Sequence, residues 1–372
     1  RSAANTVEPV ANVPASKAVI TVPTRRVPTL VETTLGSFAS PIGPVLITRD
    51  TGDLATSLAA ELDKRGFDVV LLEADWTSQS SIKASLPPNV HTVIHTAAVG
   101  AENVDLANRV RAGFLLANAT GPVARFVTVT GQGGDFGIQT PAPSSLEGSL
   151  AGLTKTLALE WEDCTAIALD IELKTPISDI ADAVISQPDN VEIGLQQGRV
   201  LTLNHPIELH HGNPAEQPIR EADLVVVSGG ARGVTAAVAI EMAKRWQPSL
   251  LLLGRSELPA KEPAWAQGID DEALSSAYAA NSMKRGKKPS LKDLKKEVSA
   301  LTKAREVRRN IDAMAAAGAA VSYAAVNVRD AESVNNAVAA AVATHGPVRG
   351  IVHGAGVLAD KWVVDKTTEQ FD

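Results

Sequence analysis

One rhythm runs twice along this chain, and the repetition limits the fold more than any other feature. From Pro44 short apolar runs alternate with helical stretches: Val45–Ile47, a helix from Leu54 to Arg65, then Val69–Leu72 ending in Glu73. Val93–His95 and Phe126–Val129 follow as strands, then a helix over Gly148–Trp161 and a strand over Ala166–Ile171. At Leu224 the pattern restarts, with strands at Leu224–Ser228, Leu250–Gly254, Val321–Val326 and Arg349–His353 and helices at Gly233–Trp246 and Ala331–His345. Parallel neighbours need long crossovers and are buried on both faces, so such alternation predicts parallel sheets wrapped by helices. The expected fold class is α/β, two Rossmann-like parallel-sheet halves, with 372 residues enough for two cores.

Around these halves the punctuation changes. Pro9, Pro14, Pro23, Pro28, Pro41 and Pro44 crowd the start among Ala, Val and Thr, which predicts a semi-extended linker over 1–43, as in a piece of a longer polypeptide. Residues 204–222, rich in His, Pro, Glu and Asn, read as a boundary loop, so the division expected is 44–220 and 221–372, with a helical insert over 256–310 in the second half. A balance of 35 basic against 42 acidic residues excludes a global nucleic-acid footprint. The lone Cys164 excludes an internal disulfide and a multi-cysteine zinc site, and fits a reducing, cytoplasmic compartment.

Chemistry concentrates at one turn. Ser228-Gly229-Gly230-Ala231-Arg232-Gly233-Val234 joins the first strand of the second half to its first helix, where glycines let backbone amides approach a pyrophosphate at the helix N-terminus. The second strand ends in Arg255-Ser256; an NAD-selective site would place an acid there for the ribose hydroxyl, whereas Arg accommodates a 2′-phosphate, so NADPH is the expected cofactor. Asn327-Val328 and Gly354-Ala355-Gly356 follow the third and fourth strands, again at carboxyl ends where such sheets bind ligands, although each could be an ordinary loop. The matching turn of the first half, Thr48-Arg49-Asp50-Thr51-Gly52-Asp53, has one glycine and two acids that repel phosphate. That half is expected to be structural and without cofactor, even though Glu73 would suit a ribose.

The motifs SGGARGV, LLLLGRSE, VNVRD, GIVHGAGVL and DKTTEQF, with GSLAGLTKTLALEW and EIGLQQGRV, resemble the ketoreductase domain of polyketide and fatty-acid megasynthases, most closely that of polyunsaturated fatty-acid synthases. The resemblance covers about residues 40–372 and implies a two-half short-chain dehydrogenase whose second half binds NADPH. It implies reduction of 3-oxoacyl thioesters, carried by phosphopantetheine on acyl carrier domains, to 3-hydroxyacyl thioesters within a multidomain synthase. Two positions depart from it: Thr235 stands where the glycine turn ends in another glycine, and Asn327 where the third-strand loop begins with Asp. The catalytic Ser, Tyr and Lys that the resemblance calls for belong after the fourth strand, so they are expected beyond Asp372, the second half being truncated before them.

Tyr278, in Ser276-Ala277-Tyr278-Ala279-Ala280-Asn281, mimics the catalytic signature but lies in the insert and has Ser282 where Lys should stand; Tyr323 reads as core. Between Lys284 and Asn310, 11 basic residues face 3 acids. This is either a solvated helical insert or a docking surface for acidic carrier domains; nucleic acid lacks aromatic partners there. His210-His211 have no further ligands at metal spacing. The competing readings are a non-catalytic scaffold or nucleotide-binding fragment, and a stand-alone extended short-chain dehydrogenase.

Overall fold

In the computed structural model, residues 24–40, 43–209, 218–259, 261–356 and 359–372 are described. The chain divides into two compact units, Arg1–His211 with Ala359–Asp372, and Gly212–Leu358.

The first unit begins with β1 (Thr24–Arg26), β2 (Thr29–Glu32), β3 (Ser37–Phe38), β4 (Pro44–Thr48), α1 (Leu54–Lys64), β5 (Asp68–Leu72), α2 (Gln79–Ser85) and β6 (Thr92–His95). It continues with α3 (Asn103–Thr120), β7 (Arg125–Thr130), α4 (Gly148–Glu160), β8 (Thr165–Ile171), α5 (Ile177–Ile185), β9 (Ser186–Gln187), β10 (Glu192–Gln196), β11 (Arg199–Asn204) and β12 (Ile207–Leu209). An eight-stranded sheet runs β2-β11-β10-β8-β7-β6-β4-β5, parallel from β10 to β5. Alternate residues serve opposite faces: Val45 and Ile47 pack with Leu58 and Leu62 of α1, while Leu46 packs with Leu115, Leu116 and Trp161.

Two features of this unit escaped the sequence pattern. β10 and β11 form an antiparallel hairpin through Gln197 and Gly198, both at positive φ (50° and 72°), which is the two-residue turn that suits twisted strands. Thr24–Phe38 is also not linker: β2 pairs antiparallel with β11 and β1 with β12, so the strands supply backbone partners that proline-rich composition did not suggest, and Ile207–Leu209 is a strand inside the expected boundary loop. Residues 1–23 of that linker lie outside the described residues.

Ala359–Asp372 belongs to this unit rather than extending the second half. Asn118 Nδ2 donates to the carbonyls of Val363 (2.7 Å), Lys366 (3.1 Å) and Val364 (3.3 Å), Phe371 stacks on Phe114 with ring centroids 4.0 Å apart, and Arg111 pairs with Asp372 at 2.6 Å.

The second unit comprises β13 (Leu224–Ser228), α6 (Gly233–Trp246), β14 (Ser249–Gly254), a 3-10 turn at Asp271–Ala273, α7 (Leu274–Lys284), α8 (Leu291–Ala316), β15 (Ala320–Ala325), α9 (Ala331–His345) and β16 (Val348–His353). Its parallel sheet is ordered β15-β14-β13-β16. Val225, Val227, Leu250 and Leu252 meet α6 and α8 on one face, while Leu224, Val226, Leu251 and Leu253 meet Ala341 of α9 on the other. The insert does not stop at Asn310, because α8 continues unbroken to Ala316 and buries Val307 and Met314 under the sheet. Both units are thus mixed α/β with parallel sheets, as the strand and helix rhythm led us to expect. No described helix is long and apolar enough to cross a membrane.

Candidate functional site

The second unit's sheet order reverses at β13. The chain leaves β13 for β14 and β15 on one side and returns to β16 on the other, so the crossovers diverge and open a crevice at the carboxyl ends of β13 and β16. Into that opening run the Ser228–Val234 turn and Gly354–Gly356.

These two segments are packed together tightly. Ser228 is buried; its Oγ lies 2.7 Å from His353 Nδ1 and accepts the Ala355 amide at 3.3 Å, while the Gly354 amide donates to the Ser228 carbonyl at 3.0 Å. The Gly229 amide donates to the Leu253 carbonyl at 2.7 Å, tying the same turn to the end of β14. Gly229 has φ of +70°, and a Cβ there would sit 2.8 Å from the Gly354 carbonyl oxygen, so the turn requires glycine for both conformation and approach. A Cβ on Gly354 would in turn overlap the Thr235 side chain. The departure noted at Thr235 therefore has a partner: threonine fills the space that glycine at 354 leaves open.

Past this seam the wall is open. Gly233, at φ +59°, and Gly356 would meet nothing within 4 Å if given a Cβ. Val234 is 82% exposed and the half-buried Arg232 precedes α6. Arg255 is exposed beyond β14, and the carbonyl of its neighbour Ser256 accepts the Tyr323 hydroxyl at 2.6 Å. That bond, with partial burial, pins Tyr323 in the sheet, and burial raises its hydroxyl pKa. Asn327 is spent differently: its Oδ1 accepts the Arg329 amide at 3.2 Å and its carbonyl the Asp330 amide at 2.8 Å, shaping the turn into α9, while Val328 packs in the core. Tyr278 packs edge-on against Trp265 within the insert, ring centroids 5.3 Å apart.

The charged insert resolves into anchored and exposed residues. Arg305 binds both Glu262 and Asp271 at 2.8 Å, which raises its pKa and depresses both carboxyls below their usual range. Arg309 joins Asp271 at 3.3 Å, and Arg308 donates to the Pro259 carbonyl. Lys287, Lys288, Lys292, Lys295 and Lys296 stay exposed. One acid of this helix, Glu306, reaches the Ser228–Val234 turn: its carboxylate accepts from Arg232 Nε at 2.7 Å and from the Gly233 amide at 3.0 Å. Sequence reading missed Glu306, and nothing local could have found it, since 73 residues separate it from Gly233. His353 was legible as part of its motif, but its bond to Ser228 follows only from the β13–β16 register that sets Ser228 opposite it.

Among the described residues no group of three or more His, Cys, Asp or Glu could hold a metal ion. His210 and His211 lie outside the described residues.

Residues 224–372 match the KR domain family. A polyunsaturated fatty acid synthase subunit from Thraustochytrium sp. (strain ATCC 26185 / S-3) is 33% identical over 240 residues, which cover 60% of this chain and 8% of that protein. The chain therefore spans a small part of that relative. Among solved structures, a keto acid-selecting NRPS module with adenylation, ketoreductase and pseudo Asub domains superposes with a TM-score of 0.65 at 17% identity, over 95% of this chain and 29% of the other. An N-terminal ketoreductase from the macrolactin assembly line superposes with a TM-score of 0.59 at 16% identity, over 93% of this chain and 67% of the other. The chain is similar to the ketoreductases of polyketide and fatty-acid synthases, as its motifs indicated, and its fold is theirs.

Proposed function

We propose that this chain supplies the cofactor-binding part of an NADPH-dependent 3-oxoacyl reductase, acting on thioesters held by acyl carrier domains of a multidomain synthase in the cytoplasm. The observation that carries the proposal is the seam of Ser228–Gly229 against Gly354–Ala355 at the switch point of a parallel sheet, with Arg255 at the end of the adjacent strand. The residues fit a dinucleotide. Gly233 and Gly356 have room beside them for a ligand, and α6 presents its N-terminus there, its Gly233 amide bonded to Glu306.

In this reading Gly229, Gly230, Arg232, Gly233 and Val234 hold the pyrophosphate, and Arg255 with Ser256 holds the 2′-phosphate. Asn327 and Val328 border the adenine, and Gly354, Ala355 and Gly356 line the way to the nicotinamide. Bound there, NADPH supplies the hydride for a 3-oxo carbonyl. Ser228 holds the Ala355 amide and the end of β16 in place, fixing the floor on which the cofactor lies. The proton donor is neither tyrosine of this chain, because Tyr323 is bonded to Ser256 and Tyr278 is packed on Trp265. The first unit is structural: its own turn is closed by Asp50, whose carboxylate accepts the amides of Gly52 and Ala55 at 2.9 Å and of Leu54 at 3.3 Å.

The placement of both tyrosines also favours a second reading, a module that binds the nucleotide without reducing a substrate. NADPH titration followed by addition of a 3-oxoacyl thioester separates the two. Assayed within the multidomain synthase that supplies the proton donor, consumption of NADPH with formation of the 3-hydroxyacyl thioester is expected; saturable binding without consumption there leaves the binding module, and no binding ends both readings.

A further inference from the structure

An anion already sits on the cofactor turn. The Glu306 carboxylate accepts from the Gly233 amide, the first of α6, at 3.0 Å and from Arg232 Nε at 2.7 Å. Those are the donors a pyrophosphate at this helix end would use, and one amide hydrogen cannot serve two anions. Glu306 is held in that position. Ala304 and Val307 on either side are buried, and one turn further Asn310 Nδ2 donates to the Ala231 carbonyl at 2.9 Å. Burial opposes ionisation of this carboxyl, but the Arg232 guanidinium and the Gly233 amide outweigh it and keep the group below the usual carboxylate range. Arg309 adds to the same field.

We infer that Glu306 is a built-in occupant of the phosphate-binding turn, which the cofactor must displace, so that the insert helix α8 tunes how tightly NADPH is held. The inference rests on the cofactor reading above and adds a residue to it. It gives the insert a task beyond covering the sheet, since the helix that buries Val307 under β13 and β14 also carries the competing charge. It separates two roles for Arg232: paired with Glu306 when the turn is free, and turned to the phosphates once Glu306 has moved aside. Glu306 is thereby an affinity-setting residue and takes no part in the chemistry.

The test is NADPH titration of the full chain and of its E306Q and E306A variants, with urea unfolding of each as the control for folding. E306Q keeps the shape of the side chain and removes the competing charge, so it is expected to bind NADPH on the order of tenfold more tightly. E306A is expected to move the same way. Equal or weaker binding by folded variants overturns the inference, because Glu306 would then merely anchor α8 or position Arg232. Should neither variant fold, hydrogen exchange of the unaltered chain decides: the α8 segment around Glu306 should exchange faster with NADPH bound, and unchanged or slower exchange there overturns the inference. If the unaltered chain and folded variants all fail to bind NADPH, the cofactor reading itself falls; binding by the unaltered chain without gain in E306Q or E306A removes only the role of Glu306.

Discussion

The two strand-to-helix turns of this chain answer one electrostatic problem in two ways. In the first unit, Asp50 lies inside the turn and satisfies three amides at the start of α1, so the positive end of that helix is filled by a local acid. In the second, Gly229, Gly230 and Gly233 carry no such group, and the acid comes from Glu306 on a distant helix. A local acid is fixed with the turn it closes, whereas one borrowed from an insert can leave with a side-chain rotation. The strand ends keep the parallel visible: Thr48 Oγ1 lies 3.2 Å from His95 Nδ1, as Ser228 Oγ lies 2.7 Å from His353 Nδ1. Yet His95 is fully buried, with Nε2 2.9 Å from the Arg109 carbonyl, while His353 is exposed. The same strand-end pairing thus persists in a half whose first helix is closed by its own acid, Asp50.

The sharpest break in this comparison comes from glycine. Gly229→Val forces a β-branched side chain into φ +70° and against the Gly354 carbonyl, and is expected to weaken NADPH binding about a hundredfold or more. Gly52→Ala, where φ is ordinary and the nearest atom is Asp50 Oδ2 at 3.2 Å, should leave NADPH titration unchanged. An equal loss from both would mean the two turns are not functionally distinct.

This asymmetry was partly legible in the sequence. The glycine count and the two acids of the first turn are local facts, and the apolar runs locate their strands because parallel strands buried on both faces are continuously apolar. Asp50 was visible as a repulsive charge; that it also closes the helix end depends on its rotamer. Other features are long-range and leave no local trace: Glu306 against Gly233, Asn118 against Val363, and β2 against β11. Among the described residues the first unit also has no counterpart of β15, since its order β5-β4-β6 matches β14-β13-β16 and ends at β5. A pattern of strands along a chain reports how many there are, and only pairing reports which neighbour is absent.

Burial of His95 gives the next largest effect. Burial first, and the nearby Arg109 charge, lower its pKa from the ordinary 6.5 to about 4, although the bond to the Arg109 carbonyl opposes them. The unfolded chain takes up this proton before the folded one does, so stability due to His95 is intact above pH 6.5 and lost as pH falls towards 4. The loss is on the order of 3 kcal/mol over that window. Urea unfolding of the unaltered chain and of His95→Gln across this range should show their difference in stability shrinking as pH falls; a constant difference would mean that His95 is not the titrating group.

Cofactor selectivity follows at about tenfold. Arg255→Ala is expected to weaken NADPH binding by about that factor while leaving NADH nearly unchanged, because the guanidinium serves only the extra phosphate. The ratio of the two dissociation constants is the readout. Because Arg255 is exposed, the preference should also shrink as salt is raised. A parallel loss for both nucleotides would move Arg255 from selectivity to general binding.

The smallest effect tests the closed half directly. Asp50→Ala leaves the amides of Gly52, Leu54 and Ala55 without their acceptor, and the loss of such helix-end bonds costs about 1 kcal/mol. Asp50→Asn should cost less, since its amide oxygen can still accept. Removing the acid also removes the charge that repels a phosphate, yet NADPH stoichiometry should stay at one per chain, because Arg49, Thr51 and Gly52 do not reproduce the open glycine wall of the second turn. Counting bound NADPH per chain in Asp50→Ala decides the matter. A second equivalent would show that the first half is a masked binding site held shut by one carboxylate, and the contrast between the halves would then be one of charge and not of shape.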